Sequence, residues 1–550
     1  MTKNNISNPY LNFVMNNIVP RILTKLDRDY TSQTYGCFDR KYWHYRINDF
    51  PSLIEQQPML ALAQLYTWKD KSNIYYKNEK IREYILAALN FWKNKLHSDG
   101  SGDEYWPNEH SYPPTVFPLF AACESYKLLN LNDDSLKRAM LKSVNFISKW
   151  KEKGAVNQEI ASIAALYSAY TILKKKSILI IIDNKLKKII PLQTKEGWFP
   201  EYGGADLGYL SVALDYAANY YHLSKDSRIL PLIENMIGFI KYFVHPDGTF
   251  GGDYGSRNTE YFLLHGLELL SQKYPLARRI ADKLLENINT AYYLHNGIDD
   301  RYLCDYCGRS FVGAMISYSP QSVNIKLPYE LEFEKWFAYS KIYIKSTKSV
   351  YIIVNLLKGG IVKVYSKQSN KHIENKEGLL FSDCGYNIIN SKNILTTNWL
   401  EYEYNILINK NNLFVDGVFH KQSLFVLTPL TSILLRFAAK LLGKLLIPFA
   451  KRIMISSQSI SLVTFKRSIS LSDESLIIHD FISSPFIIKK LCSINRFSLR
   501  YVPSSRFFQI NDLFIINKER KYFNIKKLEL KKRFDFFKKE EKILNVKIIN

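Results

Sequence analysis

Between about residues 80 and 290 the chain repeats one unit: a segment of helical period, a glycine turn, a polar aromatic loop and a second segment of helical period. The turns fall at Asp99-Gly100, Lys153-Gly154, Glu196-Gly197 and Asp247-Gly248, so the unit recurs roughly every fifty residues. Few folds satisfy such a repeat. One amphipathic hairpin cannot bury its apolar face alone and must stack on copies of itself. Three of the four loops carry an aromatic soon after the glycine, at Tyr105-Trp106, Trp198-Phe199 and Phe250. Long aromatic loops at one end of each hairpin suit a ring around a cleft better than an open array. The expected architecture is an N-terminal incomplete (α/α) toroid of helical hairpins.

Beyond residue 325 the texture changes. KIYIKSTKSVYIIVNLLKGGIVKVYS alternates β-branched and polar residues and breaks at Gly359-Gly360, and similar runs follow near 412–420, 459–466, 474–481 and 512–516. Strands that follow helices, rather than alternate with them, predict a separate antiparallel β-sandwich. The expected divisions are 1–70 (N-terminal helices and an aromatic strap), 71–325 (toroid) and 326–550 (sandwich). A helical insertion near 429–452 interrupts the strands, with Arg436, Lys440 and Lys444 in one stripe among Leu, Ile, Phe and Ala. Each cation would cost about 2.5–3.5 kcal/mol near a bilayer centre, so a helix lying on an anionic membrane surface is expected over one that spans it. The alternative is a helix packed on its neighbours within the β domain.

A hydrophobic content of 47% excludes a disordered chain, and a net charge of +24 points to a polyanionic partner. No nucleic-acid-binding module is recognisable, which leaves an acidic glycan or a membrane surface. Six cysteines in 550 residues do not make a disulfide scaffold, and Cys304-Asp305-Tyr306-Cys307 lacks a second ligand pair, so neither a metal nor another cofactor is expected. The N-terminus has no uninterrupted apolar stretch of the secretory kind, so a cytoplasmic location is expected, peripheral to the inner membrane face if the basic helix acts as read.

Candidate chemistry centres on DGTFGGDYGSRNTEYFLLHGLELL, Asp247–Leu270. Tyr254 and Arg257 lie in its glycine-rich loop, and Tyr261 and His265 stand four apart, sharing a face if both are helical. If the hairpins close, the loops bring Asn108, His110, Tyr112, Tyr202, Arg257, Tyr261 and His265 to one cleft. Trp106 and Trp198, with Arg40 and Trp43 of the strap TYGCFDRKYWHYRINDFPS, supply faces and charges for sugar rings. Metalloprotease HExxH, P-loop, GxGxxG and GxSxG patterns are missing from this inventory. His and Tyr as proton-transfer groups, with Asn and Arg as anion binders, suit proton abstraction beside a carboxylate. Cleavage of a uronic-acid glycan by β-elimination needs that set. A glycoside hydrolase would instead need two carboxylates, for which Glu109, Glu201, Asp206 and Asp253 are candidates. A noncatalytic glycan- or membrane-binding protein of polysaccharide assembly is the third reading.

These stretches carry a family resemblance. DGTFGGDYGSRNTEY resembles the DG-x-F loop that leads to an active-site tyrosine in the heparinase II/III-like polysaccharide lyases, and SKIYIKSTKSVYIIVNLLKGG, continuing to GLLFSDCGY, resembles the opening of their β domain. The resemblance implies a toroid followed by a β-sandwich and a lyase activity. It also implies Tyr254 or Tyr261 as the acid/base tyrosine, with Asn108 and His110, here split by Glu109, neutralising the substrate carboxylate.

Overall fold

The recurring glycine turn is a joint between neighbouring hairpins. Gly100, Gly197 and Gly248 take φ of +85°, +101° and +81°, where any Cβ is strained. A Cβ on Gly100 would stand 2.2 Å from the backbone of Lys142, and one on Gly197 2.2 Å from that of Asn235. Each turn therefore lies directly on the outer helix of the next hairpin. Gly36 repeats the device, with φ +92° and 2.3 Å to the backbone of Ala87, and marks an earlier hairpin that the fifty-residue spacing does not reveal.

The computed structural model describes residues 8–549 except 153, 368–377, 390–392, 424–427, 457–458, 497–503, 514 and 516–517, and only the backbone of 423, 443–456 and 511. Lys153 and the Lys444 side chain thus lie outside the described residues. The first outer helix runs through α1 (Leu11–Phe13), a π-helical turn (Val14–Ile18) and α2 (Val19–Lys25). The strap contains α3 (Arg40–Trp43). Hairpins then follow as α4 (Pro58–Thr67), α5 (Glu79–Lys95), α6 (Pro113–Leu128), α7 (Asp134–Lys149), α8 (Val156–Leu173) and α9 (Lys176–Ile189). The series ends with α10 (Leu207–Ser224), α11 (Leu230–Ile240), α12 (His265–Leu270), α13 (Pro275–Leu285) and α14 (Gly308–Ser317).

The outer helices α5, α7 and α13 each bury one apolar face and show a charged one, whereas α6, α8 and α10 are buried almost all round. The inner helices α4, α6, α8, α10, α12 and α14 pack each on the next, and α14 packs back on α4. The inner helices therefore form a ring, and the helices before residue 70 and after 290 supply the hairpins that the four glycine turns do not mark. Buried charges pin the closure. Asp215 of α10 accepts from Gly266 N of α12 (3.0 Å) and, on α14, from Ser310 Oγ (2.9 Å) and Arg309 Nη2 (2.7 Å). Lys25 of α2 contacts Glu55 (3.0 Å) and Asp305 (2.9 Å), tying the first hairpin to the last.

The sandwich has two antiparallel sheets. The first runs in chain order through β1 (Phe333–Phe337), β2 (Ile342–Ser346), β3 (Val350–Asn355), β4 (Ile361–Ser366) and β5 (Leu379–Asp383). The second uses β6 (Tyr386–Ile389), β7 (Asn393–Thr396), β8 (Asn405–Asn409), β9 (Asn412–Ser423), β10 (Ile460–Leu471), β11 (Ser475–Ser493), β12 (Lys521–Asp535) and β13 (Glu540–Ile549). The alternation read in the first sheet does not give it a wet face: β2, β3 and β4 are buried throughout. Ile352, Val354 and Val364 join the core between the sheets, and Ile344, Tyr351 and Ile353 join the core of the toroid. Of the strand expected near 512–516, residues 514 and 516 lie outside the described residues, and Asp512 and Leu513 end a short 3-10 turn over Ile510–Leu513. The basic run after Lys518 forms β12 and its hairpin to β13, and its Lys532 is buried against Asp383. The helical insertion is α15 (Pro429–Ser456), between β9 and β10.

Breaking the α10–α12–α14 tie should cost far more than a surface change. Asp215→Ala leaves the Arg309 guanidinium buried without its carboxylate, and a loss of about 3–5 kcal/mol is expected. Chemical denaturation of the variant against wild type measures it.

Candidate active site

The 244–264 loop joins α11 to α12, and backbone hydrogen bonds fix it at several points. Gly252 N donates to Thr259 O (2.9 Å), Ser256 N to Ala205 O (2.8 Å) and Arg257 N to Asp206 Oδ2 (2.7 Å). Asp206 also accepts from the Thr259 hydroxyl while capping α10. Gly208, in the first turn of α10, lets the loop lie this close, since a Cβ there would meet Thr259 Oγ1 at 2.3 Å.

The β domain grips the other side of the loop. From the turn after β3, Lys358 Nζ donates to Asp253 O (2.5 Å), to Gly255 O (2.8 Å) and to Asn258 Oδ1. Lys363 of β4 pairs with Asp253 (2.7 Å), Asn355 Nδ2 donates to Tyr254 O (2.7 Å), and Arg496 holds Glu260 with both terminal nitrogens (2.9 and 3.2 Å). Burial raises the Asp253 carboxyl's pKa, but Lys363, Arg496 and Lys358 together outweigh it and hold the group well below the usual carboxylate range.

Within this clamp sits Arg257. Its side chain is 1% exposed, and none of its three guanidinium nitrogens has a hydrogen-bond partner among the described residues. Its guanidinium lies 3.7 Å from the centre of the Tyr202 ring. Tyr202 stands on a turn with φ +51°, next to Gly203, where an added Cβ would meet nothing within 4 Å. Burial lowers the pKa of this guanidinium, against the opposing pull of Tyr202, Tyr209, Asp206 and Glu201, so the cation is held by nearby charge and an aromatic face rather than by hydrogen bonds.

Around it the loops gather tyrosines. Tyr261 lies 6.2 Å from Tyr302 between ring centres, Tyr302 stacks on Tyr306 at 5.1 Å, and the Arg301 guanidinium lies 4.6 Å from the Tyr105 ring while pairing with Glu104 (2.8 Å). Tyr209 Oη bonds Ser504 Oγ at 2.7 Å. Burial first, then neighbouring tyrosines, raises Tyr261 and Tyr209 well above the ordinary phenol value, so both stay protonated at neutral pH.

The residues singled out from sequence do not all meet there. Tyr261 precedes α12 in non-helical chain, so it shares no helical face with His265. His265 lies between the inner helices, its ring over Gly313 and its Nε2 3.3 Å from Ser317 Oγ, and burial pushes its pKa down to about 4. Tyr254 is fully buried, with its hydroxyl 2.7 Å from His245 Nε2 and its ring stacked on Phe243. His110 turns into its own loop, bonded to Asp99 (2.9 Å) and Ser101 (2.8 Å) and stacked on His97. Asn108 sits beside it at φ +57°, its backbone N held by Asp103. Trp106 is half-buried, on a turn organised by the Glu109 carboxylate. Tyr112 is buried beneath the next loop, with Lys185 Nζ donating to its hydroxyl at 3.0 Å. Trp198 donates to Glu196, which accepts from the Tyr339 and Ser340 backbone, so this tryptophan fastens the two domains. Arg40 covers Tyr45 (5.3 Å), and Trp43 donates to Lys25 O (2.8 Å), anchoring the strap.

The four candidate carboxylates are each engaged with protein donors. Glu109 accepts from three backbone N–H groups, Glu201 from Asn157 N and Nδ2 (2.8 and 2.7 Å), Asp206 from Arg257 N and Thr259, and Asp253 from Lys363. Sequence reasoning missed His245, Arg301, Tyr302, Tyr306, Lys358 and Lys363. The density of Arg and Tyr in DDRYLCDYCG was the one available signal, and it is easily masked by the CxxC within it. Cys304 and Cys307 are both buried and free.

No known family profile and no curated protein matches the chain, so the heparinase II/III likeness rests on its short motifs alone. Solved structures do match. A chondroitin AC lyase from Streptomyces coelicolor A3, in complex with chondroitin sulphate, superposes with a TM-score of 0.56 at 8% identity, covering 90% of this chain and 69% of that one. A Paenibacillus xanthan lyase gives 0.50 at 13% identity over 90% of this chain, which spans 47% of that longer protein. An unsaturated glucuronyl hydrolase from Streptococcus agalactiae follows at 0.41 and 10%, over 58% of this chain and 93% of its own. At these identities the likeness establishes the fold, an (α/α) toroid with a β domain as in polysaccharide lyases.

Acid should loosen the clamp. The fold favours ionised Asp253, so the stability it contributes is complete above its unfolded pKa near 4 and is lost as pH falls toward the lower folded value. Urea midpoints measured from pH 7 to pH 3 should drop on the acid side, and Asp253→Asn should flatten that drop.

Proposed function

We propose that the chain is an enzyme that cleaves a uronic-acid-containing acidic glycan by β-elimination, a lyase resembling the heparinase II/III-like group and acting in surface-polysaccharide metabolism. The observation that carries this reading is Arg257, a buried guanidinium whose nitrogens have no hydrogen-bond partner among the described residues. A planar fork of donors matches a carboxylate. Tyr202 covers it from a turn with open space at Gly203, so displacement of that ring would admit a uronate.

With the carboxylate on Arg257, the acidity of the adjacent C–H rises, because the charge developing on the carboxylate in the transition state is met by the guanidinium. The elimination breaks the C–O bond one carbon further along and forms a C=C bond conjugated to the carboxylate, and a tyrosine that gives its phenol proton to the leaving oxygen takes up the C–H proton in its place, so both transfers balance. A proton must return to the leaving oxygen. Tyr261 fits this step, since its hydroxyl has no hydrogen-bond partner among the described residues and burial keeps it protonated. Tyr254 fits less well, its hydroxyl being committed to His245. The engagement of Glu109, Glu201, Asp206 and Asp253 with protein donors weighs against hydrolysis by any pair of them.

Ultraviolet absorbance during incubation with a panel of uronic-acid polysaccharides tests the reading. Wild type should produce an unsaturated chromophore, and Arg257→Met should lower kcat/KM by roughly 10²–10³-fold. The same variant should unfold at an equal or higher denaturant concentration, because it replaces an unpaired buried charge with an apolar side chain. Tyr261→Phe should remove the chromophore. New reducing ends without absorbance would give the case to a hydrolase, and binding without either product would give it to a noncatalytic glycan-binding protein.

A further inference from the structure

Helix α15 is amphipathic the wrong way round for a packed insertion. Leu430, Ile433, Leu434, Phe437 and Leu441 recur at i, i+3, i+4, i+7 and i+11, so they cover an arc of about 100°. Each is between 59% and 72% exposed. Ala439 lies on the opposite side and is 4% exposed. The helix thus rests on the protein through a small residue and turns its bulky apolar stripe outward. Exposed stripes of this kind mark contact surfaces.

What the stripe meets is indicated by charge. Arg436 and Lys440 border the stripe, and Pro429–Ser456 contains five basic residues and no acidic one. The helix also reaches the N-terminal strap, where Arg436 pairs with Asp49 at 2.5 Å. Four and two residues before that contact, Tyr45 and Ile47 are 57% and 66% exposed, with exposed Arg46 between them. Two segments almost four hundred residues apart therefore present apolar side chains flanked by cations. A second copy of this chain would bring those cations against each other, whereas an anionic lipid surface accepts the apolar stripe in its headgroup layer and the cations among its phosphates. No helix among the described residues is long and apolar enough to cross a membrane.

We propose that α15, together with the tip of the strap, docks this protein on an anionic lipid surface. Flotation of the full chain with vesicles of phosphatidylcholine, alone or with about one-third phosphatidylglycerol, tests this. Retention on the anionic vesicles is expected, at least tenfold above that on the neutral ones, weakening with salt. The double variant Leu434→Asp/Phe437→Asp should lose at least tenfold of that retention while keeping its far-ultraviolet dichroism, since both positions are exposed. Equal retention on the two vesicle types, retention unchanged in the variant, or no retention at all would overturn the proposal. So would a dimer in sedimentation that the variant dissolves, because the stripe would then be a self-association face.

Discussion

Two lysines of the β domain decide the shape of a toroid loop. Lys358 takes up the carbonyls of Asp253 and Gly255 and the Asn258 side chain, and Lys363 holds the Asp253 carboxylate. Without these cations the glycine-rich chain from Gly251 to Gly255 would face an apolar sheet with unmet carbonyls and a buried charge, which is costly. With them, the loop is rigid enough to carry Arg257 in place. The first sheet serves this purpose by being buried on both faces: one closes the sandwich core and the other seals the toroid.

Arg257 inverts the pattern of its surroundings. Other buried arginines are paired with carboxylates: Arg278 with Glu268, Arg309 with Asp215, Arg467 with Asp383 and Asp480. Arg257 instead has its guanidinium on the face of a tyrosine with no hydrogen bond among the described residues, and on the proposed reading that donor set is kept for a ligand. Neighbouring tyrosines from three further loops frame the same end of the ring, and aromatic hydroxyls beside a cation are suited to a sugar acid. The neighbouring carboxylates are engaged with protein donors, so the proposed reaction turns on phenols as its proton donors.

Much of the toroid was legible in the sequence because its joint is a glycine with a steric reason to recur. The first and last hairpins were not, for opposite reasons. Gly36 uses the same joint inside a loop so rich in aromatics that it reads as a binding strap, and the final hairpin enters α14 through a π-helical turn, Arg301–Cys307, without an Asp-Gly signal. Placing His265 beside Tyr261 assumed a helix that begins four residues too early. Residues before His265 instead spend their backbone groups on side chains, as when Leu263 N donates to Ser211 and Phe262 O accepts from His295 Nε2. Arg257 and Tyr202 were legible as candidates, but their contact was not, nor were the lysines about a hundred residues downstream that fix them. Those depend on how a sheet lands on a ring, which spacing along the chain does not encode.

The central claim is that Arg257 exists to meet a carboxylate. Calorimetric titration with a uronate-containing oligosaccharide and with the same oligosaccharide after reduction of its carboxyls to alcohols tests this directly. The account predicts that wild type binds the acid form at least tenfold more tightly and that Arg257→Met binds both forms equally. Equal affinity of wild type for the two forms, or discrimination that survives in Arg257→Met, would contradict it.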